Sequence, residues 1–188
     1  MELLKAVENY IPFNEQEQQD RKEILRRLRS GEELLTRENS SAHITVSGWV
    51  VSHDRSQVLM AYHNIYNSWS WLGGHADGEC NLLKVAEKEI KEEAGLESFA
   101  PVTDDIFSLE ILTVDGHVKK GRYVSSHLHL NFTFLFEASS DQPIRCKPDE
   151  NSRVGWFGLD EAIEVSDEPW IRDRIYRKLN DKMKEFFS

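Results

Sequence analysis

Gly73-Gly74-His75-Ala76-Asp77-Gly78-Glu79, followed after an intervening apolar-rich segment by Glu89-Ile90-Lys91-Glu92-Glu93-Ala94-Gly95-Leu96, reads as a tight loop feeding a helix that carries clustered carboxylates. A glycine pair lets the chain turn sharply and lets its backbone approach a ligand closely. On a helix, Glu89, Glu92 and Glu93 stand at i, i+3 and i+4, so they share one face with Cβ atoms about 5 to 6 Å apart. Like charges so placed repel unless a cation neutralises them. The alternative is an ordinary solvated acidic face, since glutamate is a good helix former and is usually exposed. Leu82, Leu83, Ala86 and Ile90 supply an apolar stripe at helical spacing, which fixes the rotation of the helix, and Gly95 falls where a C-terminal cap is expected.

Clustered carboxylates suit hard divalent cations such as magnesium or manganese, which are held by a few protein oxygens together with phosphate oxygens of a substrate. The residues here resemble the signature of the Nudix family: glycine, five residues, glutamate, seven residues, arginine-glutamate-apolar, one residue, two glutamates, one residue, glycine-apolar. Setting the final glycine on Gly95 puts the first on Gly74, the Glu-apolar pair on Glu89-Ile90 and the paired glutamates on Glu92 and Glu93, without a gap. Two positions depart from it. The first glutamate falls on Cys80, with Glu79 one residue early, and Lys88 replaces the arginine. Lysine supplies charge toward Glu92 at i+4 but not a planar, multidentate fork.

The resemblance implies an α/β fold, a Nudix-type α/β/α sandwich with a mixed curved sheet, over about residues 42 to 186. It also implies hydrolysis of the diphosphate linkage of a nucleoside diphosphate joined to another group, with Mg2+ or Mn2+ as cofactor. Carried onto this chain, the metal ligands are Glu92 and Glu93, a supporting Glu89, and the backbone carbonyl of Gly74. The catalytic set is Glu92, Glu93 and a carboxylate from a later loop, for which Glu150 leads, ahead of His127 and His129.

Composition agrees with a globular domain. The 188 residues are 39% hydrophobic and 30% charged, and no apolar run approaches the roughly 20 residues of a membrane helix. The N-terminus lacks a secretory pattern, so a cytoplasmic location is expected. A formal net charge of -10 argues against long nucleic acid as a partner and leaves a small nucleotide-type substrate, screened by metal ions. Cys80 and Cys146 are expected to be reduced and are too few for a zinc site of their own.

Along the chain, residues 1–40 read as an N-terminal helical extension and 41–188 as the main domain. Asn14 caps a helix that runs to about Arg29 and ends at Gly31, and a short second helix is expected through Glu33, Leu34 and Leu35. The extension packs on the domain, or else forms a homodimer contact or a substrate lid. His43 to Val51 and Gln57 to Tyr62 read as a hairpin, Ile106 to Val114 and His127 to Ala138 as a second long pair, and Arg153 to Phe157 as a short strand. A small helix starts at Leu159. Ile171, Ile175, Leu179, Met183 and Phe186 repeat at helical spacing.

Substrate contacts are sought near the loop: Trp71, His75, Lys88 and Arg122. Trp49, Trp69 and Trp71 could stack on a base or fill the core. His75 either orients the turn or meets substrate. Lys119, Lys120 and Arg122 either grip phosphates or form a solvated loop. His127, His129 and Asn131 alternate onto one strand face, lining a pocket or serving as structural residues. Two competitors stand beside the hydrolase. One is a non-catalytic nucleotide-sensing module. The other is the isopentenyl diphosphate isomerase branch, which needs a cysteine opposite a glutamate and draws attention to Cys80.

Overall fold

The computed structural model of the protein describes residues 3–65, 67–119 and 121–188. Two helices, α1 (Leu3–Asn9) and α2 (Glu15–Ser30), precede the sheet strands β1 (Ala42–Ser52), β2 (Gln57–His63), β3 (Ser68–Ser70) and β4 (Leu72–His75). The central helix α3 (Leu82–Ala94) follows, then β5 (Phe99–Pro101), β6 (Ser108–Val114), the hairpin β7 (His117–Lys119) and β8 (Arg122–Val124), β9 (His127–Ala138) and β10 (Asn151–Gly158). The chain closes with α4 (Leu159–Glu164), α5 (Pro169–Ile171), a π-helical segment over Arg172–Tyr176, and α6 (Arg177–Phe186).

The sheet is mixed. Its spine is the parallel pair β1 and β9, in register from Ala42 opposite Leu128 to Ser52 opposite Ala138. Along its other edge β1 changes partner, pairing antiparallel with β4 over Thr45 to Gly48 and with β2 at Val51. β9 likewise pairs with β6 at one end and with β5 at the other. Because side chains alternate across a strand, β1 serves two layers. Ala42, Ile44, Val46 and Val50 pack with Leu82, Val85, Ala86 and Ile90 of α3, whereas Trp49 and Val51 pack with Ala162, Ile163, Ile175, Leu179 and Met183. Helices thus cover both faces, giving the expected sandwich.

The extension is joined to this body. Val7, Ile24 and Leu25 enter the α3-side core. Asp20 Oδ2 accepts the Ile111 N–H at 3.2 Å, which engages the edge of β6 that β9 leaves open. Asn14 caps α2 by accepting the Glu17 N–H, and Gly31 ends it in the left-handed region at φ 77°. The helix expected over residues 33–35 does not form. The Leu34 carbonyl accepts the Ile44 N–H at 2.7 Å and the Leu35 carbonyl accepts the Gly78 N–H at 3.0 Å, so β1 and the β4–α3 loop take the groups that a helix would need. The C-terminal periodicity is present, but a π segment interrupts it.

A buried charged network lies between α2, β6 and the C-terminal helix. Glu17 and Glu110 are fully buried, and Lys178 reaches them at 3.1 and 2.8 Å. Lys182 adds a contact to Glu17 at 3.0 Å, and the Ser108 hydroxyl lies between the two carboxylates, within hydrogen-bond distance of each. Glu110 also accepts from Asn131 and Thr133, which continue the polar ladder along β9 toward Thr45 and Ser47.

Candidate active site

Three local features aim the carboxylates. Asn81 accepts the Lys84 N–H at 3.2 Å and so starts α3, while Gly95, left-handed at φ 64°, stops it. Leu82, Val85, Ala86 and Ile90 hold one side of the helix to the sheet, and Leu83 is only partly buried. The turn between β4 and α3 is pinned from outside: Asp77, at φ 45°, takes a two-pronged contact from Arg37 at 2.7 and 2.8 Å, and the Ala76 N–H donates to the Ile44 carbonyl.

The acidic face is graded in depth. Glu93 is 4% exposed and Glu89 8%, while Glu92 lies at the surface. Glu93 Oε2 accepts the Gly73 N–H at 2.8 Å. Gly74 faces Glu89 so closely that a Cβ there would lie 2.6 Å from the Glu89 carboxyl carbon. A Cβ at Gly73 would lie 2.3 Å from the Val46 carbonyl oxygen, so Gly73 is required by contact rather than by backbone angle, whereas at Gly74 the close neighbour is a side chain that can shift. Lys88 Nζ sits 3.3 Å from Glu89 and 3.6 Å from Glu92, so the lysine at the signature's arginine position does bridge two of the glutamates.

Glu150 joins this cluster. Lys147 Nζ spans Glu92 and Glu150 at 3.0 Å each, and the Glu150 charge is felt at both Glu89 and Glu93. Asn151 fixes the connection: its Nδ2 donates to the Glu93 carbonyl at 3.0 Å, and its Oδ1 accepts the Lys147 N–H at 3.0 Å. Lys147 and Asn151 were not singled out from the sequence, where they read as ordinary loop residues.

Environment separates the carboxyl groups. Burial, reinforced by Glu89 and Glu150, pushes Glu93 from 4.5 up to about 8 against the opposing Gly73 hydrogen bond. Burial likewise raises Glu89, and the Lys147 hydrogen bond lowers Glu92. Lys147 itself is raised, the hydrogen bonds to Glu150 and Glu92 outweighing its burial. Glu89 and Glu93 present hard oxygen donors against the glycine pair, ligands of the kind that suits magnesium or manganese.

The remaining sequence candidates fall elsewhere. His75 lies across β4 from this cluster: its ring meets those of His43 and His129 at 5.1 Å each. Trp71 packs edge-on to Tyr176, whose hydroxyl accepts the Trp71 N–H at 3.2 Å, and Trp49 is core. Trp69 is half-buried in a group with Tyr62 and Phe157, with the Arg153 guanidinium over Tyr62 at 4.1 Å and Trp69 at 5.1 Å. Arg122 is exposed on the β7–β8 hairpin. Lys120 and the side chain of Lys119 lie outside the described residues. Cys80 is exposed and unpaired just ahead of α3. It lies nine positions before Glu89 and outside the helix that carries the glutamates.

A NUDIX domain model matches residues 42–179. The chain therefore belongs to the NUDIX family, and the class of enzyme that this family and fold define is a Nudix pyrophosphohydrolase. Similar solved structures include a C. elegans Ap4A hydrolase in a binary complex, at 17% identity, covering 77% of this chain and 96% of that one with a TM-score of 0.56. They also include the E. coli dihydroneopterin triphosphate pyrophosphohydrolase (14%; 73% and 95%; TM-score 0.54) and the Nudix hydrolase RenU of M. smegmatis (12%; 76% and 84%; TM-score 0.51). A search of curated proteins found no match.

Proposed function

We propose that the protein is a divalent-metal-dependent hydrolase of a small nucleotide derivative, opening a phosphorus anhydride by attack of water. The observation that carries this is the row of carboxylates along the glycine pair: Glu93 accepts the Gly73 N–H, Glu89 lies against Gly74, and Lys88 and Lys147 link Glu92 to Glu89 and Glu150. Glu92 and Glu93, with Glu89 in support and the Gly74 carbonyl, would hold Mg2+ or Mn2+. Such an ion makes bound water more acidic and draws charge from phosphoryl oxygens.

The chain's own groups have separable tasks. Glu92, kept ionised by Lys147, presents a standing anion. Glu93, which burial holds at about 8, would have to lose its proton to serve as a ligand, which would couple metal binding to pH. Glu150 lies at the mouth of the cluster on the same lysine, the place for a base that orients water. Lys88 and Lys147 offer positive charge to phosphate oxygens. The Trp69, Tyr62 and Arg153 group offers a stacking surface, which supports a nucleotide rather than a bare polyphosphate. Trp71, His75 and Arg122 stay as substrate-contact candidates at longer range.

The named neighbours act on an Ap4A-type dinucleotide and on dihydroneopterin triphosphate, so the substrate range to test is broad. A mass-spectrometric screen of nucleoside triphosphates, dinucleoside polyphosphates, sugar nucleotides, ADP-ribose and coenzyme A, with magnesium or manganese, is the experiment. Cleavage of a phosphorus anhydride in at least one, abolished by chelator, is expected. Binding without turnover of any would replace the hydrolase with the nucleotide-sensing module.

A further inference from the structure

We infer that His43, His75 and His129 form a second metal site, for a borderline divalent transition ion of the zinc class, on the sheet face opposite the acidic helix. Their ring nitrogens lie within 4.8 Å of one another, brought together from three strands. Parallel register sets His43 of β1 directly beside His129 of β9, and antiparallel register sets His75 of β4 against Thr45, two residues along β1. The ring centroids of all three pairs are 5.0 to 5.1 Å apart.

The surroundings prepare His43 as a ligand. Its Nδ1 lies 3.2 Å from the Asn39 carbonyl oxygen, which only an N–H can satisfy, so the proton is on Nδ1 and the lone pair on Nε2. That Nε2 is buried and has no hydrogen-bond partner among the described residues. A backbone carbonyl on the far nitrogen is the usual way a metal-binding imidazole is oriented. His127 does a related job for His129. Its Nδ1 donates to the Ser125 carbonyl at 2.8 Å, and its Nε2 meets His129 Nε2 at 3.2 Å, holding that ring in place.

Zinc bound by imidazole has Zn–N distances of about 2.0 to 2.1 Å, which places tetrahedral donor atoms roughly 3.3 Å apart. The three nitrogens need to close by at most about 1.5 Å, within reach of side-chain rotation without movement of the strands. Imidazoles select zinc, copper, iron or nickel over magnesium, so the two faces of β4 would discriminate between ions by ligand chemistry: oxygen on the Gly74 side, nitrogen on the His75 side. Three neutral ligands leave the ion its full double charge and one open position. His75 and His129 are only half-buried, so that position is reachable by water or by an anionic oxygen. This inference is independent of the reading of the acidic site.

The test begins with chelator-stripped protein in excess magnesium, which saturates the oxygen site. Zinc retained after gel filtration is counted by mass spectrometry, and cobalt(II) is followed by its visible absorption. The wild type is expected to retain one zinc per chain and to give the absorption of nitrogen-bound cobalt. His43→Ala and His129→Ala are expected to weaken binding at least 100-fold with unchanged circular dichroism, whereas Glu92→Gln and Cys80→Ser retain the ion. No retained zinc in the wild type, or equal retention in the histidine variants, overturns the site. Should those variants fail to fold, the imidazole proton resonances of the wild type decide. Cobalt must shift the rings of His43, His75 and His129, and shifts confined to the neighbourhood of Glu92 overturn it.

Discussion

Substituting Glu93→Gln is expected to make the metal-free protein more stable at pH 8 and nearly neutral in effect at pH 5. The carboxyl is 4% exposed, and burial holds it at about 8 rather than 4.5. In that window the folded protein keeps a proton that the unfolded chain has released. Stability from this group is therefore fully present below pH 4.5 and falls as pH rises toward 8. The slope approaches about 1.4 kcal/mol per pH unit, which gives the wild type a loss of roughly 3 to 4 kcal/mol between pH 5 and pH 8. Glutamine has no proton to lose and its amide oxygen can still accept the Gly73 N–H. Urea denaturation of both proteins in chelator, from pH 5 to pH 8, isolates the term as a difference, because every other titrating group is common to both. The magnesium dependence should run in the opposite direction. Binding needs the carboxylate, so wild-type affinity rises with pH by up to about tenfold per unit more steeply than that of the variant below pH 8, Glu89 titrating in both. Parallel stability curves for the two proteins would refute the reasoning.

Gly73→Ala is expected to destabilise by about 3 kcal/mol or more, because its Cβ would lie 2.3 Å from the Val46 carbonyl oxygen, a backbone atom that cannot yield cheaply. For Gly74→Ala the nearest atoms are all of the Glu89 carboxyl, the far end of a flexible side chain, so it should fold with a loss near 1 kcal/mol while magnesium titration shows weakened binding. Lys178→Met leaves Glu17 and Glu110 buried with one cation fewer between them and should cost about 3 to 5 kcal/mol, a fall in Tm of roughly 6 to 20 °C by calorimetry. Lys147→Met removes the hydrogen bond that lowers Glu92, so the Glu92 carboxyl, followed by NMR, should titrate at higher pH; an unchanged midpoint would count against the bridge.

The parts of the site that were legible in the sequence are those set by local chemistry. Asn81 and Gly95 bracket α3, the i, i+3, i+4 spacing groups the glutamates, and alternation marks β1 and β9. What the sequence hides comes from distant pairing. His43 looks like any strand residue until the parallel register sets it beside His129, 86 positions away, and His75 changes from a loop residue to a member of that group. The depth of Glu93 depends on Gly73 and on the Lys147–Asn151 loop folding over it, which helical spacing does not encode. Residues 33–35 carry helix formers, yet tertiary partners claim their carbonyls.

The central claim is that the acidic cluster performs metal-dependent hydrolysis, and turnover of the best substrate from the screen, in magnesium, by wild type and Glu92→Gln tests it most directly. Loss of an outer-shell partner at a metal site costs about 10- to 100-fold, so removing this carboxylate is expected to lower turnover by more than about 100-fold with thermal stability retained. Equal turnover in the variant, or in wild type held in excess chelator, would contradict the account.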